Sequence, residues 1–208
     1  DVQISPNWLK GLSESFFNRK VLCVGGRVIL KQSNLRIPGW YSTYFSRFVA
    51  PPKFPEQRTY IKHPYYLIGA NMSFRREVFK DYGLFKLDLG RRGKVLISAE
   101  DTELIMRLPQ TSVWFEPDMD VYTTLDQNRM KRFFFVRRLF WQGVSDRIVV
   151  ESGRLGSFYD KDEVLLGAPF FRSIFHKLTR LRLFEVFCML TRLVGFNFGK
   201  RYLGKQKR

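Results

Sequence analysis

Two adjacent carboxylates, Glu100 and Asp101, stand at the head of an apolar-periodic stretch and are the side chains best placed to do chemistry. Val95, Leu96 and Ile97 run up to them, and Leu104, Ile105 and Leu108 follow at helical spacing, so the pair opens a short helix. Carboxylates in a first helical turn meet free main-chain N–H groups and the positive end of the helix dipole. They stay ionised there and can accept a proton, which is general-base chemistry. The same spacing supports a purely structural reading, in which Ser98 and Asp101 form a capping box.

The elements around this pair follow from local patterns. Pro6 to Phe17 reads as a helix with Trp8, Leu9, Leu12, Phe16 and Phe17 on its apolar side. Val21 to Leu30 is β-branched and apolar around Gly25-Gly26, giving one bulged strand or two short ones. Residues 31–66 carry five prolines and Gly39, so little regular structure is expected there. Trp40 in that stretch either stacks on a sugar ring or packs in the fold, and His63 before Pro64 reads as a turn residue.

Ser73 is expected to cap a helix over Phe74 to Asp81 that Gly83 terminates. The loop Gly90-Arg91-Arg92-Gly93-Lys94 is a solvated turn or a phosphate cradle, without P-loop spacing. Ser112 to Tyr122 alternates like a strand around Pro117. Met130 to Val144 is a basic amphipathic helix expected to end at Gly143. Residues 151–169 read as a linker, and 170–208 as a basic amphipathic helical tail in which Glu185 is the only acid after Arg172.

The 208-residue chain is long enough for one sizeable core, and 45% hydrophobic residues argue for a folded protein. A net charge of +17 calls for an anionic partner: nucleic acid, an anionic membrane or a phosphorylated substrate. Cys23 and Cys188 lie far apart in apolar stretches, which argues against a disulfide framework and for a reducing compartment. No apolar run is long enough to span a bilayer.

Three ordered strings carry a resemblance. Gly69, Ala70, Asn71, Met72, Ser73, Phe74, Arg75 and Arg76 come first, then Gly83, Phe85 and Gly90, then Ser98, Glu100, Asp101, Glu103, Leu104 and Arg107. The set resembles the acceptor half of the inverting family 2 glycosyltransferases over roughly residues 1–146. That resemblance implies an α/β chain: a partial GT-A fold over 1–150, with a mixed sheet flanked by helices, followed by the helical tail. It implies that Asp101 is the general base towards an acceptor hydroxyl, with Glu100 and Asn71 as substrate contacts; Trp40 would be an acceptor contact if it stacks on a sugar ring rather than packing in the fold. Asp1 would be the last Asp of an Asp-x-Asp site holding a divalent Mn or Mg ion, with the nucleotide-binding βαβ units upstream of it.

Where the family places a further metal-binding His, six residues before Arg129, this chain has Thr123. Arg129 is retained and would neutralise a departing diphosphate. The implied partners are a nucleotide-sugar donor, a saccharide or lipid-linked acceptor and an anionic membrane surface, at the inner, cytoplasmic face of the membrane. Two rival readings stand beside this one. A nucleic-acid-binding module fits the charge but has no recognisable motif, and an inactive membrane-associated relic fits Thr123.

Overall fold

The computed structural model describes residues 2–31, 35–46, 48–49, 51–62, 66–153, 173–177 and 182–206, with side chains described to residue 203. The metal-holding role read at Asp1, the turn at His63 and the linker beyond residue 153 lie outside the described residues.

The chain is α/β, built as two small mixed sheets flanked by helices. One sheet has the order β1 (Val2–Ile4), β7 (Val121–Thr123), β3 (Val28–Leu30), with β1 antiparallel and β3 parallel to β7. The other has the order β4 (Thr59–Tyr60), β6 (Val113–Phe115), β2 (Cys23–Gly25), β5 (Met72–Phe74). Its central β2/β6 pair is parallel. Val21 to Leu30 thus forms two strands, one in each sheet, and Gly25-Gly26 is the crossing point. A Cβ at either glycine would overlap the main-chain oxygen of Asn71 or Met119.

Helix α1 (Trp8–Phe17) covers one face of this framework, where Trp8, Leu12 and Phe16 pack on Val21, Val24 and Met119. A four-residue helix, α2 (Thr43–Ser46), lies in the proline-rich stretch, and α3 is Arg76–Asp81. Ser73 does not cap α3. It sits in β5 opposite Val24, because Met72 to Phe74 is drawn into the sheet and Arg75 takes the cap position. Gly83, with φ of +83°, follows the helix end as expected.

Helix α4 (Glu100–Ile105) buries Leu104 and Ile105, together with Leu108 just beyond it, against Cys23, Val113 and Phe115. Each such side chain contributes about 1.5–3 kcal/mol when buried, so this stripe fixes α4 on the four-stranded sheet. Within α4, buried Glu103 pairs with Arg107, whose guanidinium also donates to the Tyr82 and Leu84 carbonyls at 2.9 Å. That staple ties the 82–86 turn to the helix.

Two long helices close the structure: α5 (Arg132–Glu151) and α6 (Leu183–Gln206). The basic helix does not stop at Gly143, which is where α6 packs closest. A Cβ on Gly143 would overlap the Arg192 carbonyl, and one on Gly195 would overlap that of Phe140. Beside this crossing, fully buried Asp146 accepts from Arg192 at 2.7 Å and from Gln142 at 2.8 Å. The tail helix is therefore packed onto the body of the protein along α5. Both cysteines are free and buried, and burial pushes their thiols well above the usual range.

Candidate active site

The head of α4 is built differently from a capping box. Ala99 occupies the cap position with φ of +79°, the one non-glycine residue at positive φ among those described, and no side chain caps the helix. Ser98 is turned away, its hydroxyl accepting from Arg138 at 3.2 Å and its N–H donating to the Ser145 hydroxyl at 3.0 Å. The left-handed turn at Ala99 separates Ser98 from the helix it was expected to cap. Such a conformation costs an alanine roughly 1–2 kcal/mol and aims the next two side chains, Glu100 and Asp101.

The Asp101 carboxylate is held by main chain on both sides. Its Oδ2 accepts from the Gly69 N–H at 2.8 Å, and its Oδ1 accepts from the Thr102 N–H at 2.7 Å and the Thr102 hydroxyl at 3.3 Å. Each oxygen keeps lone-pair capacity, so the group is oriented without being used up.

Glu100 lies beside it with its carboxyl against Gly90, and its buried Oε2 has no hydrogen-bond partner. Burial holds the Glu100 carboxyl above the usual range. The Asp101 charge adds to that rise, while Arg91 and Arg138 oppose it.

Both carboxylates open into one cleft of about 570 Å³, whose wall also includes Arg91, Thr123, Arg129 and Arg138. A turn at Gln127–Met130, capped by Asp126 accepting from the Asn128 N–H at 2.9 Å, carries Arg129 into it. Arg91 is held below the usual arginine range by desolvation of its head and then by the like charge of Arg129. Two guanidinium groups that repel each other at a cleft wall make a place where an anion is stabilised.

The structure thus brings Asp101, Glu100 and Arg129 together. It places two other expected substrate contacts elsewhere. Asn71 is buried: its amide nitrogen donates to the Arg27 and Met119 carbonyls and its oxygen accepts from the Trp8 indole at 2.9 Å, so it locks α1 to the sheets. Trp40 packs edge-on against Phe45, Phe135 and Phe184 with Arg132 over its ring, between α2, α5 and α6. Neither lines the cleft.

Arg138, Gln142 and Arg192 do line it, contributed by α5 and α6. Their positions in sequence gave no sign of this, although Arg138 on an otherwise apolar helix flank was a signal available to be used. The described donors here, two neighbouring carboxylates among guanidinium groups, do not make a ligand set for a divalent cation. Among the described residues no group of three or more His, Cys, Asp or Glu side chains gathers elsewhere.

Comparison with known proteins gives one relative of bearing. The chain is 25% identical over 154 residues, 72% of its own length, to a glucosyl-dolichyl phosphate glucuronosyltransferase of Haloferax volcanii. It spans about half of that relative, 48% of its length. No family model matches the chain, and no solved structure matches it.

Proposed function

We propose that this chain takes part in glycosyl transfer, carrying the residues that activate the acceptor and receive the charge of the leaving group. Asp101 takes the proton of an acceptor hydroxyl as its oxygen attacks the anomeric carbon of a nucleotide-activated sugar, and the anomeric configuration inverts. The C–O bond to the diphosphate breaks with its electron pair, and Arg129 and Arg91 stabilise the anion that departs. Glu100, beside the base and under Gly90, positions the acceptor. A divalent Mn or Mg ion, held in part by Asp1, would add charge neutralisation at the departing diphosphate.

One observation carries the reading: a carboxylate oriented by two main-chain N–H groups shares a cleft with a pair of mutually repelling arginines. The glycosyltransferase relative supports it, and the glucosyl-dolichyl phosphate in its name favours a saccharide linked to a lipid phosphate as acceptor; a location at the inner face of an anionic membrane is part of the same proposal. A panel of radiolabelled nucleotide sugars with a polyisoprenyl-phosphate-linked monosaccharide as acceptor tests it. The assay uses the full-length protein that contains this chain, because the nucleotide-binding units are expected upstream of Asp1 and the chain alone is expected to be inactive. Label extracted in the lipid fraction with inverted linkage supports the reading, and no transfer from any donor in the panel overturns it.

A further inference from the structure

Helix α6 has two unlike sides. Inward, Cys188, Met189, Arg192 and Phe196 are buried against α5 and its surroundings. Outward, Leu183, Phe187, Leu190, Val194 and Phe198 recur every three or four residues, which puts them on one face, and they are between 41% and 62% exposed. Phe175 is also exposed, on the helical segment 173–177 that Lys177 ties to Glu185 of α6. Exposed apolar residues scattered singly need no explanation, but a continuous helical stripe does.

The charges around the stripe are one-sided. Arg182 stands exposed at its start and Lys200 and Arg201 at its end. Glu185, the single acid of α6, is buried and paired with Lys177 and Arg182, so no negative charge faces outward. We propose that this face of α6 is a docking surface for an anionic lipid bilayer, with the apolar stripe at the level of the acyl chains and the flanking cations among the headgroups. This deepens the reading of a lipid-linked acceptor and rests on it.

The alternatives fit less well. Nucleic-acid phosphates would leave the leucine and phenylalanine side chains in water. A second copy laid on the stripe would bring cationic ends near cationic ends. Among the described residues no helix is long and apolar enough to cross a membrane, so the stripe lies along the surface.

The placement also connects to the cleft. Arg192, on the opposite side of α6, lines it and is held by Asp146. A helix is about 10 Å across, so a bilayer on the outer face brings lipid-anchored headgroups within reach of the cleft wall.

The test is flotation of the 208-residue chain with vesicles of phosphatidylcholine alone and of phosphatidylcholine with about a third phosphatidylglycerol. The chain is expected to float with the anionic vesicles. Phe187→Glu with Val194→Glu, both on exposed positions, should lower partitioning by about tenfold or more with an unchanged circular dichroism spectrum and melting temperature. Lys200→Glu with Arg201→Glu should weaken binding at low salt and converge with the parent at high salt.

Equal partitioning of the parent and the Phe187/Val194 variant would overturn the proposal. So would sedimentation equilibrium showing a parent dimer that this variant breaks, without vesicle binding by either. Asp101→Asn should float as the parent does, since it touches transfer alone; flotation of the parent together with absence of transfer by the full-length parent protein would remove the glycosyl-transfer reading and leave this surface standing.

Discussion

The Gly69 N–H and the Asp101 Oδ2 are 2.8 Å apart, and a Cβ added to Gly69 would stand at the same 2.8 Å from that oxygen. The loop that leads into β5 and the helix that carries the candidate base are thus registered through one hydrogen bond with no room to spare. Gly69→Ala should displace the carboxylate by a few tenths of an ångström or more. We expect turnover to fall on the order of 10²-fold while stability changes by about 1 kcal/mol. Steady-state kinetics beside a urea titration checks this, and an unchanged kcat would show that Asp101 need not be held in place.

Glu100 gives a pH-dependent stability of a defined sign. Its folded-state pKa is raised, so between the ordinary glutamate value, about 4.3, and the raised one the folded chain keeps a proton that the unfolded chain has lost. Its contribution to stability falls as pH rises through that window. Glu100→Gln should match the parent below the window, gain over it across the window and hold a constant advantage above it. Thermal melts from pH 4 to 8 check this; a variant less stable than the parent at the upper end would mean that the ionised carboxylate has a favourable partner.

The Asp146–Arg192 pair fastens α6 to α5 in a buried setting. Removing one partner strands a charge, so Asp146→Leu alone should cost about 3–5 kcal/mol. Asp146→Leu with Arg192→Leu should recover most of that, since apolar groups of similar volume often replace a buried pair at little cost. Urea denaturation of the two single variants and the double one gives the coupling.

Local strings made several elements legible before any coordinates. The apolar stripe Leu104, Ile105 and Leu108 pointed to a short helix with one buried face, and Gly25-Gly26 to a bulge or a break between two short strands, of which the structure has the break. Other features depend on conformations or contacts that spacing does not encode. Ser98 looks like a cap until Ala99 turns left-handed, and Ser73 looks like one until β2 recruits it as a sheet partner. Gly143 reads as a helix end, yet it is an opening left for α6, whose Arg192 stands 49 residues further along the chain. Arg91 and Arg129 were legible as parts of an anion site, whereas Arg138 and Arg192 are 54 residues apart in sequence and line the cleft only because α5 and α6 are packed together.

The most direct measurement is the kcat of Asp101→Asn at saturating nucleotide sugar and acceptor, at equal folded concentration. Asn keeps the shape and one acceptor oxygen, but it sets an amide N–H₂ against one of the two N–H groups that now face a carboxylate, costing about 1–3 kcal/mol of stability. It cannot take a proton. If Asp101 is the base, kcat falls roughly 10²-fold to 10⁴-fold with little change in the KM for the donor. Turnover within a few-fold of the parent would contradict the assignment and leave Asp101 as a staple between α4 and the Gly69 loop.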